Sequence, residues 1–219
     1  MVPLVLPLPV PLEPGPDVLE ETVPLGPWPV DLLRPRDSDA LVQEIAFEHE
    51  EYLPYWADLW PSSLALARDV ARRSLRGVPA LELGCGLGLV SIAAARAGAR
   101  VLATDWSPDA VAFTRANALR NDVRLEAQRV DWAAPGALVA RAPWDLVLAS
   151  DVLYERQTVD LLLALLPRLV APGGQVWVAD PGRVPAEGFL SGAEEAWERR
   201  TSEEGAHPTV RVHRLNRRG

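Results

Sequence analysis

From residue 59 onward the chain alternates short apolar runs with stretches of helical spacing. Residues 80–83, 100–104, 144–150 and 175–179 are compact apolar runs, the pattern of strands covered on both faces. Residues 123–130 alternate as a half-exposed strand, and 209–215 alternate as a late one. Between them the spacing predicts helices over 62–75, 87–97, 108–120, 156–170 and 186–198. Ser62 or Ser63 is the expected N-cap of the first, Gly98 the C-cap of the second, and Ser107-Pro108 the start of the third. Pro172-Gly173-Gly174 reads as a turn. Strands separated by helices imply an α/β fold, a doubly wound and mostly parallel sheet with helices on both faces.

The first 58 residues follow another pattern. Ten of the 21 prolines fall within residues 1–35, which excludes helix there, because each proline removes a donor and clashes with the preceding turn. Residues 20–33 fit a short hairpin turning at Gly26-Pro27. Residues 38–51 read as a helix capped by Ser38, with Leu41 and Ile45 on one face. The expected organisation is an extension over 1–58 packed on a main domain over 59–219.

Composition narrows the classes. At 48% hydrophobic and 24% charged residues, the chain can bury a core and is not of disordered type. The longest uncharged stretch, residues 83–95, is far short of the ~20 residues of a membrane helix. The N-terminus has prolines at 3, 7, 9 and 11 and no basic start, so it is a poor secretory signal. The single cysteine, Cys85, forms no internal disulfide, which fits a cytoplasmic protein. The formal charge of −8 argues against a broad nucleic-acid surface, and Arg211, Arg214, Arg217 and Arg218 read as a solvated strand edge and terminus. The run Glu48-His49-Glu50-Glu51 reads as a solvated helix end rather than a metal site. All 22 basic residues are arginine; the chain has no lysine.

The chemistry gathers at strand ends. The sequence from Leu81 to Gly88 places glycines at 84, 86 and 88 where the first strand of the domain meets a helix. Glycine there permits a sharp turn and close approach of backbone to a ligand. A dinucleotide site needs G-x-G-x-x-G, but residue 89 is leucine, so a nucleotide-dependent oxidoreductase fits poorly. Glu82 precedes the loop, Asp105 ends the next strand, and Asp131 ends the third. A carboxylate at Asp105 suits both hydroxyls of a ribose. Trp106 and Trp132 are candidates to lie on an adenine face.

This G-x-G-x-G loop with its preceding acid resembles the first motif of class I, seven-strand methyltransferases, which use S-adenosyl-L-methionine. Three further segments are similar to the lysine methyltransferases of the electron-transfer flavoprotein β subunit and their bacterial relatives. They are the segment from Pro54 to Pro61 (P-Y-W-A-D-L-W-P), Asp151-Val152-Leu153-Tyr154 as the D-x-x-Y motif, and Asp180-Pro181-Gly182-Arg183. Asn117 and Asn121 also match. The sequence departs from that pattern at Ser62-Ser63, Glu155 and Trp106-Ser107. The resemblance implies a Rossmann-like sheet of seven strands. It implies a cofactor set of Trp60, Glu82, Gly84, Gly86, Gly88, Asp105, Trp106, Asp131, Trp132 and Ser150, with Asp131 facing the adenine amino group. Asp151 and Tyr154 become the catalytic pair, and S-adenosyl-L-homocysteine the product.

A sulfonium methyl is already activated, so catalysis needs an in-line nucleophile, a short approach and a desolvated site. A lysine amine, with an ordinary pKa near 10.4, must be neutral to attack, and an aromatic channel that buries it favours that form. Trp56, Trp60 and Tyr154 are the expected lining. Asp151 is expected to orient the amine or to hold the amino group of the cofactor, and Tyr154 to hydrogen-bond the amine; Asp180 and Arg183 are read either as functional residues or as a local loop ion pair. The leading reading is transfer to a protein lysine, with an electron-transfer flavoprotein-like subunit as candidate acceptor and neither nucleic acid nor membrane as partner. Transfer to a small-molecule amine and a non-catalytic cofactor-binding scaffold are the alternatives.

Overall fold

The computed structural model describes residues 12–38, 54–204 and 207–218. Of the helix expected over 38–51 only Ser38 is described, its hydroxyl donating to Asp58 at 2.7 Å; the rest, with its Glu-His-Glu-Glu run, and the prolines at 3, 7, 9 and 11 lie outside the described residues.

Seven of the strands form one sheet, built from β3 (Pro79–Leu83), β4 (Arg100–Asp105), β5 (Glu126–Arg129), β6 (Trp144–Ser150), β7 (Val170–Asp180), β8 (Trp197–Glu204) and β9 (His207–Arg217). Their spatial order is β5-β4-β3-β6-β7-β9-β8. The first five in that order run parallel, while β9 is antiparallel to β7 and to β8. The order reverses at β3, so the C-terminal ends of β3, β4 and β6 open the crevice where wound sheets bind ligands. Among the described residues five helices accompany the sheet: α1 (Pro61–Ala71), α2 (Leu89–Arg96), α3 (Pro108–Arg120), α4 (Gly136–Val139) and α5 (Arg156–Leu169); a sixth, α6 (Val184–Ala193), follows β7.

The apolar strand runs are explained by two cores. Leu146, Leu148, Trp177 and Ala179 pack with α1 and α2 on one face. Their neighbours Val147, Ala149, Val176 and Val178 pack with α5 and α6 on the other. The two-residue period of a strand sends alternate residues to opposite faces, and both faces are covered.

The expected hairpin is present as β1 (Val18–Pro24) and β2 (Pro29–Pro35), turning through Gly26 at φ +105°. It is fastened to α3 by two asparagines. Asn117 accepts from the Leu33 N–H at 2.6 Å and donates to the Leu33 carbonyl at 3.0 Å. Asn121 accepts from the Asp31 N–H at 3.0 Å and donates to its carbonyl at 2.7 Å. Two residues along a strand advance about 6.6 Å and four along a helix about 6 Å, so the periods match. The helix thus supplies the ladder partner that the edge of β2 lacks.

Several boundaries differ from the sequence reading. Neither Ser62 nor Ser63 caps α1: Pro61 takes the first helical position after Trp60, and the Ser63 hydroxyl donates back to the Trp60 carbonyl at 2.7 Å. Gly98 does close α2, at φ +103° with its N–H on the Ala95 carbonyl. The helix expected over 186–198 starts at Val184 and stops at Ala193, and Trp197–Glu204 forms the edge strand β8. Only Trp197 and Glu198 of it fell within the expected helix, and its charged residues suit an edge that must not pair with another chain. β5 is shorter than its alternation suggested, and α4 was not anticipated. β7 begins at Val170, and its register with β6 jumps across the expected turn at 172–174.

Candidate active site

The glycine loop joins β3 to α2. Gly84, Gly86 and Gly88 all have positive φ, at +72°, +51° and +84°. Each is also crowded: a Cβ on Gly84 would stand 2.8 Å from Val152 Cγ1, one on Gly86 would be 3.2 Å from the Trp56 carbonyl oxygen, and one on Gly88 would meet Thr114 at 2.9 Å. No L side chain suits both the dihedrals and the space.

Asp105 at the end of β4 is almost fully buried and ties this loop to the next one. Its Oδ2 accepts from the Gly86 N–H at 2.9 Å and its Oδ1 from the Ser107 N–H at 3.0 Å. Burial pushes its carboxyl up, and the backbone donors pull it back. Ionised, it keeps lone pairs for two further donors. Asp131 is exposed past β5, its Oδ1 holding the Ala133 N–H at 2.8 Å. Trp132 lies over the glycine loop, with its six-membered ring 3.9 Å from the Gly84 Cβ position, while Trp106 is 40% exposed beyond Asp105. A diol-seeking carboxylate, a second acid and an aromatic face beside a close-approach loop fit the ribose, adenine amino group and adenine ring of S-adenosyl-L-methionine.

Glu82 sits elsewhere than its place in the cofactor set suggests. It is buried behind the loop, accepts from the Ser91 hydroxyl on α2, and its carbonyl accepts from Thr104 at 2.6 Å. Burial pushes its carboxyl up to about 8, so it is mostly protonated at neutral pH. Its place is behind the loop, joined to the α2 helix that the loop leads into.

The second half of the site is a cavity of about 280 Å3 lined by Tyr55, Trp60, Asp151, Tyr154, Glu155 and Arg183. A larger hollow, about 600 Å3, runs along α3 and β5 and includes none of the expected site residues. The smaller cavity adjoins the glycine loop, because Val152 contacts Gly84 and Asp151 precedes it. Tyr55 stands edge-on to Tyr154, with ring centroids 5.7 Å apart, and to Trp60 at 6.2 Å. The Trp60 indole N–H donates to the Tyr55 carbonyl at 2.7 Å. Burial, then the nearby Glu155, raises the Tyr154 phenol, so it stays a neutral hydroxyl. Trp60 therefore stands with the cavity residues rather than on the glycine loop. Trp56 does not line the cavity; it packs on Phe113, 5.3 Å between centroids, and Tyr55 takes the lining position. Neighbours in the tight turn Tyr55–Ala57 point apart, a geometry that a motif letter does not carry.

Asp151 follows Ser150, the half-buried last residue of β6, with φ +57°, a left-handed conformation unusual outside glycine. Its N–H bonds the Ala179 carbonyl at 2.9 Å. The expected Asp180–Arg183 ion pair is not formed; Arg183 binds Asp151 instead, through Nε at 2.9 Å and Nη2 at 2.6 Å, both to Oδ1. Asp180 turns the backbone, its Oδ1 accepting from the Gly182 and Arg183 N–H groups at 2.7 and 2.8 Å. The sequence reading also missed Thr114, whose hydroxyl donates to the Gly86 carbonyl at 3.0 Å, and the contact of Asn117 with the Leu87 carbonyl at 2.9 Å. Their i, i+3 spacing on one face of α3 was the available signal.

A crossed sheet order of this kind, with a glycine loop and strand-end acids over its switch point, is the fold of class I methyltransferases, the class whose methyl donor is S-adenosyl-L-methionine. A lysine methyltransferase family profile matches residues 46–194, more than half of the chain, and the chain belongs to that family. It is 38% identical over 136 residues to the electron transfer flavoprotein beta subunit lysine methyltransferase of Xenopus laevis, covering 59% of this chain and 53% of that protein. It is 34% identical over 127 residues to the histone-arginine methyltransferase METTL23 of Homo sapiens, covering 54% of this chain and 67% of the relative. A 16S rRNA N2 methyltransferase of T. thermophilus, solved with AdoMet and guanosine, has a TM-score of 0.68 over 95% of this chain and 52% of its own, at 16% identity, a likeness of fold. The chain spans about half the length of the Xenopus protein it matches.

Proposed function

We propose that this protein transfers the methyl group of S-adenosyl-L-methionine to a lysine amine of another protein, with an electron transfer flavoprotein β subunit as the first candidate. The observation that carries the reading is the aromatic cavity of Tyr55, Trp60 and Tyr154, with Asp151 in its wall, directly beside the glycine loop. The cofactor supplies a methyl group already activated on a sulfonium. Asp105 accepts the ribose hydroxyls, Asp131 the adenine amino group, and Trp132 covers the ring. Gly84, Gly86 and Gly88 let the backbone approach, and Trp106 and Ser150 stand at the rim.

Tyr55 and Trp60 exclude water from the acceptor and narrow its path to a long, thin side chain. The Tyr154 hydroxyl accepts from the amine and aims its lone pair along the transfer line. Asp151 fixes the amine from the other side. The bound cofactor would supply the methyl group, its sulfur keeping the electron pair of the carbon–sulfur bond, and the amine nitrogen that takes the methyl would release its proton to water. The hairpin bonds to α3 support the inference that residues 1–58 are an extension packed on the main domain. A cytoplasmic location rests on the single cysteine, and the reading without a nucleic-acid partner on the formal charge of −8; among the described residues no helix is long and apolar enough to cross a membrane.

The test is incubation with labelled S-adenosyl-L-methionine and the flavoprotein subunit, then with lysate proteins, followed by mass spectrometry. The chain has no lysine, so every methyl-lysine found belongs to the acceptor. Cofactor binding without methyl-lysine in any protein, together with methylation of small amines, would replace this reading by a small-molecule N-methyltransferase.

A further inference from the structure

The carboxylate of Asp151 presents a physical problem for transfer to an amine. A buried negative charge beside the acceptor favours its ammonium form, which has no lone pair to give. The side chain of Asp151 is only 6% exposed, so solvent screens it weakly. The fold answers with a cation. Arg183 reaches back from the start of α6, its guanidinium 6.0 Å from the centre of the Trp60 ring, and puts both hydrogen bonds on Oδ1 of Asp151. Oδ2 takes neither of these bonds. Both partners are anchored. Asp151 is held to β7 through the Ala179 carbonyl, and the Arg183 backbone is held by Asp180 after Gly182 at φ +88°.

We propose that Arg183 is a positioning residue for the methyl acceptor: it cancels the charge of Asp151 that would hold the acceptor as a cation, and leaves Oδ2 to orient the neutral amine. This deepens the proposed transfer to an amine and rests on it. The other groups facing this point do not replace Arg183. Glu155, at the start of α5, is exposed and screened by solvent. Tyr154, after β6, keeps its phenol neutral because burial raises it, and Tyr55, before α1, brings no cation. Asp180, the last residue of β7, is buried with Oδ1 on two backbone donors, and Oδ2 without a hydrogen-bond partner. Asp105, at the end of β4, has its carboxylate on the Gly86 and Ser107 N–H groups. None of these other groups is a cation, so among the described residues Arg183 is the one cation lining the cavity.

A plain structural clip would use the same bonds, so the test must separate charge from hydrogen bonding. Arg183→Gln keeps donors and loses the charge; Arg183→Lys keeps the charge and loses the fork. With the flavoprotein subunit as acceptor, the acidic limb of the kcat–pH profile reports the bound amine. In Arg183→Gln it is expected to move up by about one pH unit, with kcat at pH 7 about tenfold lower and KM not raised. Arg183→Lys should return the limb to near the wild-type position. A second readout needs no turnover: n-butylamine, a mimic of the lysine side chain, is a cation at pH 7 and should bind Arg183→Gln more tightly than wild type. Melting curves and cofactor affinity establish that both variants are folded. An unmoved limb in Arg183→Gln, or a lysine variant that behaves like the glutamine one, or equal n-butylamine binding, overturns the proposal. Failure of the wild-type enzyme to methylate any amine is a different result and overturns the functional reading beneath it.

Discussion

Arg183 donates from Nε and Nη2 to one oxygen of Asp151, at 2.9 and 2.6 Å, across the gap between the ends of β6 and β7. The pair closes the floor of the aromatic cavity, and its acidic member sits at φ +57°. Asparagine tolerates that conformation almost as well as aspartate and has the same shape. Asp151→Asn is therefore expected to fold and to bind S-adenosyl-L-methionine within a few-fold of wild type, by calorimetry. Methyl transfer should fall about a hundredfold, because a misplaced nucleophile alone costs that much. Full activity in this variant would remove Asp151 from the transfer step.

The glycine loop and the acceptor cavity meet at Gly84 and Val152. A methyl group on Gly84 would stand 2.8 Å from Val152 Cγ1, and the backbone there is at φ +72°. Gly84→Ala is expected to weaken cofactor binding at least about tenfold, from backbone strain of 1–3 kcal/mol together with the clash. Adding Val152→Ala relieves the clash but leaves the dihedral, so the double variant should recover only part of the affinity. Recovery to wild-type level would mean that the dihedral carries no cost.

Glu82 should make stability depend on pH. Its carboxyl is at about 8 in the folded protein, against 4.5 for the ordinary group, because burial penalises the charge. The raised value means that the folded state holds a proton the unfolded chain has released. The contribution is complete below pH 4.5 and is lost as the pH rises through 8. By pH 7 the loss is about 3 kcal/mol. Glu82→Gln keeps the polar shape without a titrating group. Denaturant melts should show the variant gaining on wild type between pH 4.5 and 8; a difference that stays flat with pH would place the Glu82 proton elsewhere.

What the sequence carried best was whatever depends on local pattern. Strands buried on both faces show as unbroken apolar runs, so β3, β4 and β6 were legible, as was the loop of Gly84, Gly86 and Gly88 at the end of β3. The residues of the acceptor cavity were legible only as motif letters. Nothing in the order Tyr55-Trp56 says which ring faces the cavity; a single turn of helix decides it. The partner of Arg183 was misread for a similar reason. Asp180 is three residues away and Asp151 thirty-two, but the chain turns at Gly182, and Asp180 is spent on backbone donors. β8 was missed because an edge strand carries charged residues in place of an apolar run.

Asn117 and Asn121 allow the hairpin and the glycine loop to be separated by experiment. Both hold β2 through paired bonds, but only Asn117 also donates to the Leu87 carbonyl, at 2.9 Å inside the loop. Each substitution by alanine strands polar backbone groups of β2, and Asn117→Ala, at the more buried position, should cost about 3 kcal/mol of stability. Asn121→Ala is expected to loosen the hairpin while leaving cofactor affinity near wild type. Asn117→Ala should weaken that affinity as well, because the loop then loses one of its ties to α3, keeping those of Thr114 to the Gly86 carbonyl and to the Cys85 thiol. Hydrogen exchange at Leu33 and calorimetry with S-adenosyl-L-methionine, run on both variants, measure the two effects independently. If the two variants lose affinity equally, the hairpin acts on the loop through packing, with Leu33 seated beside Leu87 and Phe113, rather than through the Asn117 bond.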